Sequence, residues 1–175
     1  MLQFALLAVG GVLTVAAFRP KTFKVERHTI INAPPEKIFP YINNFQKWAE
    51  WSPFENLEPD MKKTFEGPES GVGAKYGWEG KGKAGAGRMT IIESDEPHKV
   101  GIDLAFTKPF QCNNLAEFTL DASPGGTTDS TVVTWAMSGN SPYLARVMGV
   151  FCSMDKMVGG DFEKGLNKLK EVSEA

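Results

Sequence analysis

The chain has 175 residues, enough for one ordinary domain with its own core. With 42% hydrophobic and 23% charged residues it reads as globular, not disordered. A net charge of −2 without a basic block argues against a nucleic-acid partner, and two cysteines, Cys112 and Cys152, cannot build a disulfide framework. Both lie in apolar surroundings and read as reduced core thiols.

Residues 1–18, MLQFALLAVGGVLTVAAF, carry no charged side chain. As a helix they would span about 27 Å, close to the hydrocarbon thickness of a bilayer. The expected reading is an uncleaved single-pass membrane anchor. A cleaved signal peptide and a buried N-terminal segment are the alternatives. Val15-Ala16-Ala17 loosely fits a cleavage site, but no Lys or Arg precedes the apolar run. Arg19, Lys21, Lys24 and Arg27 follow at once, which by the positive-inside rule puts the domain in the cytoplasm. Two cysteines are compatible with an oxidising compartment as well, so the membrane side stays open. Residues 19–23 read as a tether and residues 24–175 as the domain.

A first strand is predicted from Thr22 to Asn32. Two prolines then open a short helix, Pro35 to Ile42, because their fixed φ and missing N–H suit a first helical turn. An aromatic corner with Trp48, Trp51 and Pro53 follows. Residues 55–73 are turn-rich, with a brief strand near Met61 to Phe65. Further strands are predicted at Ala74–Gly80, Arg88–Ser94, Lys99–Phe106, Asn114–Asp121 and Ser130–Met137, separated by Gly and Pro clusters. The glycine run 80–87 lacks GxxxxGK[ST] and reads as a hairpin connection, not a phosphate loop. Short links between sequential strands predict an antiparallel meander.

Alternation divides these strands into two faces. Tyr76 and Trp78 share one face, as do Met89 and Ile91; Ile102, Leu104 and Phe106; Ala116, Phe118 and Leu120; and Val133, Trp135 and Met137. The other face carries Lys75, Glu79, Arg88, Asp103, Glu117 and Thr134. One face is covered and one is wet.

A single long helix is predicted from Ser141 to Val172, with Ser141 as N-cap and Pro142 in the first turn. Leu144, Val147, Met148, Phe151, Val158, Phe162, Leu166 and Leu169 then form one apolar stripe. Gly159-Gly160 interrupts it and invites a bend or a close approach. Asp155 falls near the stripe's centre, where a carboxylate would face the sheet or a pocket. It would need hydrogen bonds or a cation there, or take up a proton. The bland alternatives are a satisfied core carboxylate, or a bend at the glycines that returns Asp155 to water.

The segments INAPPEKIF (31–39), WAEWSPF (48–54), GVGAKYGWEG (71–80), GRMTIIES (87–94) and MDKMVGGDFEKGL (154–166) together resemble the SRPBCC superfamily, the START- or Bet v 1-like helix-grip fold. The branch they resemble is polyketide cyclase/dehydrase-like, over about residues 22–172. The resemblance implies an α+β fold. An antiparallel sheet of about six or seven strands wraps around a long C-terminal helix, here with an N-terminal transmembrane segment. This fold hosts ligand carriers, lipid binders, cyclases and hydrolases, so it does not settle function.

The first expectation is a membrane-tethered binding module whose pocket, between sheet and C-terminal helix, takes a hydrophobic small molecule or lipid. Trp51, Tyr76 and Trp78 would line it, with Met89, Leu104 and Phe106, then Phe118 and Trp135, and from the helix Met148, Phe151 and Asp155. The second is a cyclase- or aromatase-type enzyme in which Asp155, with Tyr76, moves protons. The third is a protein-interaction module with a filled core. Enzymatic activity is the weaker expectation. With only His28 and His98, no HExxH, no CxxC and no GxSxG, neither a metal site nor a cofactor nor a hydrolase nucleophile is expected.

Overall fold

In the computed structural model, the described residues are 14–123, 129–149 and 153–175, and the side chains of Leu144, Ala145 and Met148 also lie outside the description. Alternating side chains make Thr22–Ile31 a strand, β1. Helix α1, Pro35–Asn43, starts at the two prolines, with Pro34 as an extended N-cap and Glu36 in the first turn, near the positive end of the helix dipole. Two 3-10 turns, Phe45–Glu50 and Pro53–Asn56, form the aromatic corner. Its indoles have a structural task. Trp48 Nε1 donates to the Ile42 carbonyl at 2.9 Å, and Trp51 Nε1 to the Tyr41 carbonyl at 2.9 Å. These last-turn carbonyls have no partner within a helix, so the corner caps α1 while it fills the core.

The remaining strands are β2 (Lys62–Glu66), β3 (Lys75–Glu79), β4 (Ala86–Asp95), β5 (Lys99–Lys108), β6 (Cys112–Ala122) and β7 (Thr131–Asn140). Every predicted strand is present, with ends moved by a few residues. All pairings are antiparallel, and the seven-stranded order is β1-β7-β6-β5-β4-β3-β2. The meander thus closes on β1, leaving β1 and β2 as edges. The inner face carries Tyr76, Met89, Ile91, Ile102, Phe118, Val133 and Trp135, all buried, as the alternation predicts.

The predicted single C-terminal helix is corrected. Two helices are present, α2 (Tyr143–Gly149) and α3 (Met154–Glu174). Ser153 is extended, at φ −77° and ψ 153°, and its side chain accepts from the Lys156 amide as an N-cap. A helical wheel drawn continuously from Ser141 is therefore out of phase beyond this point. From α3, Phe162, Leu166 and Leu169 are buried, and the helix packs mainly against β1. Gly159 does mark a close approach: a Cβ there would sit 2.2 Å from Nη2 of Arg27, which reaches from the inner face of β1.

The core-thiol expectation fails for Cys112, which is exposed at the first position of β6; Cys152 lies outside the described residues. Residues 1–13 of the predicted anchor are also outside. Residues 14–18 are helical, and among the described residues no helix is long and apolar enough to cross a membrane.

The β3–β4 connection is the hairpin expected of the glycine run, and the Glu58 carboxylate fastens it. The amides of Lys81, Gly82 and Ala84 donate to Glu58 at 2.8, 2.9 and 2.8 Å. These bonds favour the charged form, so the Glu58 pKa lies below its usual 4.5, the Ala84 amide contributing most. For a depressed carboxylate the stabilisation is present above pH 4.5 and lost as pH falls through the lower folded value. The three amide resonances should therefore titrate together with a midpoint below pH 4.5, and Glu58→Gln should abolish that titration. Three independent midpoints would show that the carboxylate does not organise the turn.

Candidate functional site: an aromatic wall with a polar corner

The inner face is divided between a filled half and a half-covered one. Under α3, rings fill the space. Trp135 stacks on Phe162 with centroids 4.1 Å apart and planes 5° apart, and on Phe118 at 5.0 Å. Trp51 meets both Phe118 and Trp135 edge-on, at 5.9 and 5.6 Å. Trp51, Phe118 and Trp135 are therefore brought together, but as interlocked core of 3% exposure or less.

The other expected residues meet on β3, β4 and β5. Met89 faces Tyr76 across β3–β4 and Leu104 across β4–β5. Trp78 stacks over Tyr76 at 6.1 Å and meets Phe106 edge-on at 5.4 Å. Trp78 Nε1 donates to the Ala84 carbonyl at 3.0 Å, fixing the indole. The indole passes over Gly87, where a Cβ would sit 2.5 Å from its Cη2. Tyr76 and Met89 are buried, while Trp78, Leu104 and Phe106 are half-buried. This is an apolar wall without complete cover from described residues.

The polar corner of this wall was not legible in advance. Glu55, on the second 3-10 turn, is buried. Its carboxylate pairs with Lys63 Nζ at 2.5 Å, and the same ammonium donates to the Glu55 carbonyl at 3.0 Å. Lys63 is opposite Trp78 in the β2–β3 register, so it shares the inner face. The Tyr76 hydroxyl is enclosed and makes no hydrogen bond of good geometry. Burial pushes the phenol's pKa strongly upward, and the neighbouring Glu55 carboxylate adds to the effect, by its charge and as a poorly aligned acceptor for the hydroxyl. At neutral pH Tyr76 is thus a protonated donor, unsuited to act as a base. Glu55 gave no sequence signal because Ser52-Pro53-Phe54-Glu55 reads as a turn. Lys63 gave none because KKTFE reads as a wet edge strand.

A cleft of about 220 Å³ opens beside this corner, lined by Phe45, Gln46, Phe65, the 66–69 turn, Ala74 and Lys75. Phe45 and Phe65 both pack on the Tyr76 ring, at 6.0 and 5.2 Å. Among the described residues, no group of three or more His, Cys, Asp or Glu side chains is placed to hold a metal ion.

The placement expected of Asp155 is corrected. Because α3 begins at Met154, Asp155 stands in its first turn, with its side chain 55% exposed, and pairs with Arg27 Nη1 at 2.7 Å. Arg27 Nε also binds Glu163 at 2.7 Å. The hydrogen bond from Arg27 holds the Asp155 carboxyl below its usual range, opposite to the raised value a buried acid would have. Met148 and Phe151 lie outside the described side chains.

A search of curated proteins finds no match. Solved structures share the fold. One, from Chromobacterium violaceum, has a TM-score of 0.59 at 14% identity, covering 89% of this chain and 99% of its own. A protein of unknown function from Staphylococcus aureus gives 0.62 at 16% identity, covering 87% and 94%. A solution structure from Thermobifida fusca gives 0.59 at 20% identity, covering 86% and 92%. At such identities they speak for fold alone. A family model described as "Polyketide cyclase / dehydrase and lipid transport" matches residues 22–174, nearly all of the sheet and both C-terminal helices, and the chain belongs to that family.

Proposed function

We propose that the protein is a membrane-tethered binding module for a hydrophobic small molecule or lipid, held against the β3–β5 wall. The observation that carries this reading is the enclosed Tyr76 hydroxyl, which lies beside the Glu55 carboxylate without a well-formed hydrogen bond to it, at the edge of a half-covered aromatic surface. Buried polar groups are rarely left unpaired, and a ligand's polar end is a natural acceptor. The family's description, which includes lipid transport, supports the same class of ligand. The raised phenol pKa favours binding over the acid–base role of a cyclase. Residues 1–18 would anchor the chain, with the domain on the cytoplasmic side. The interlocked rings under α3 favour a second reading, a filled-core interaction module.

Native mass spectrometry of the full chain, extracted gently from its own membrane, decides between the two. A reproducible extra mass of a few hundred daltons is expected. A bare mass that persists after adding lipids and aromatic polyketides would select the filled core. Tyr76→Phe supplies the site-specific test. Removing a buried hydroxyl that is at best poorly bonded to Glu55 should change stability by no more than about 1 kcal/mol, while ligand affinity falls about five- to tenfold. Unchanged affinity together with lower stability would make the hydroxyl structural.

A further inference from the structure

The two ends of the sheet carry opposite charge. At one end lie the start of β1, the β3–β4 and β5–β6 turns and the end of β7. Lys21, Lys81, Lys83 and Lys108 are exposed there. Of the anions at this end, Glu79 is paired with Lys108 and Glu58 is held by three amides, while Asp60 stands exposed. At the opposite end the turns and the α3 terminus expose Glu66, Glu69, Asp95, Glu96, Asp121 and Asp129. Lys168 and Lys170 there are paired with Glu171 and Glu174, Lys99 is paired with Glu93 and Glu117, Lys75 is partly buried, and the exposed Lys37 stands beside the exposed Glu36.

The basic end also presents the two most exposed large apolar side chains among the described residues. Phe18 is 87% exposed and Phe110, in the β5–β6 turn, 70%. Aromatic side chains amid lysines suit the headgroup layer of a bilayer, where the ring meets the acyl boundary and the ammonium meets anionic lipid. The charge-free run of residues 1–18 joins the domain at this same end. Two arginines bind that junction to α2. Arg19 donates to the Gly149 carbonyl, and Arg146 to the carbonyls of Ala17 and Arg19 at 3.3 and 3.4 Å. Each cation sits at carbonyls that end a helical segment, where the dipole favours it.

We infer that this end of the domain docks on an anionic bilayer surface, with Phe110 entering the headgroup layer and Lys81 and Lys83 on phosphates, while the acidic end points to solvent. The inference rests on the anchor reading of residues 1–18 and adds to it a fixed orientation. The domain does not swing freely on its tether.

The test uses the full chain in vesicles of phosphatidylcholine with about one-third phosphatidylglycerol. Spin labels are placed by Phe110→Cys and, as control, by Glu96→Cys, with Cys112→Ser and Cys152→Ser in both. Flotation with the vesicles is expected, with the label at 110 shielded from a water-soluble nickel relaxant and the label at 96 open to it. In Lys81→Gln/Lys83→Gln the docked-to-free ratio should fall about 30-fold, since each lysine near such a surface contributes about 1 kcal/mol and 1.4 kcal/mol is tenfold. Failure to float overturns both the anchor and the docking. Flotation with both labels equally open to nickel keeps the anchor and overturns the docking. Shielding that is the same in neutral vesicles and in the lysine variant, or spin–spin broadening between copies, makes the contact a protein interface and overturns the inference. Ligand binding is read separately through Tyr76→Phe.

Discussion

Trp135→Ala should lower stability by about 4 kcal/mol, near the middle of the range for large-to-small aromatic substitutions in a core. For a chain of this size that corresponds to a fall in Tm of about 10 °C or more. The indole is 3% exposed and touches the rings of Trp48, Trp51, Phe54, Phe118 and Phe162, at 6.4, 5.6, 6.1, 5.0 and 4.1 Å. These rings come from the 3-10 turns, β6 and α3, so no single element can close the void by shifting alone. Trp78→Ala should cost less, about 2 kcal/mol, because its indole is half-buried. Thermal unfolding of both variants, followed by near-ultraviolet circular dichroism, makes the comparison. A cost below 1 kcal/mol for Trp135→Ala would mean that the ring stack is loose and that the α3 half of the inner face also admits a ligand.

Lys63→Met should be the second large effect, at about 2–3 kcal/mol. The Glu55 side chain is 5% exposed, and its cation would be gone. Breaking one side of a fully buried pair costs about 3–5 kcal/mol. Lys63 is 31% exposed, so water reaches the corner and the lower figure applies. The decisive variant is the double one. With Glu55→Gln added, no unpaired charge is left in the corner, and about half of the loss or more should return. The coupling should then be about 1–2 kcal/mol in a double-mutant cycle. Additive losses would show that Lys63 acts through its stem and not through its charge. If Tyr76 binds ligand as proposed, the double variant should also fold yet bind differently, because the Glu55 carboxylate acts directly on the phenol.

The aromatic corner shows how sequence and structure divide the explanation. Its residues are legible from their types, and Trp51 is expected to line a pocket. In the structure Trp48 and Trp51 also close the last turn of α1, which no periodicity reveals, because the hydrogen bonds depend on where the 3-10 turn folds back. Asp155 shows the reverse case. Its place in the apolar stripe follows correctly from 100° per residue, but only if the helix is continuous. Ser153 in an extended conformation resets the phase, and the carboxylate meets Arg27 at the surface. Periodicity reports the angle between neighbours within an element and carries nothing across a break.

By itself, the sequence determined what depends on short-range chemistry. Alternation specified the strands and their covered face; prolines set the start of α1, glycines the β3–β4 hairpin, and the residue motifs the family. Local sterics and side-chain periodicity act within a few residues, so they can be read along the chain. The tertiary structure alone decided which apolar residues interlock and which form a half-covered wall, because that depends on where α3 lies across the sheet. It alone brought Glu55, Lys63 and Tyr76 together, from a turn, an edge strand and its neighbour. It also gathered lysines and phenylalanines from separate turns onto one end. Contacts between distant segments are set by packing and strand order, which no local pattern encodes.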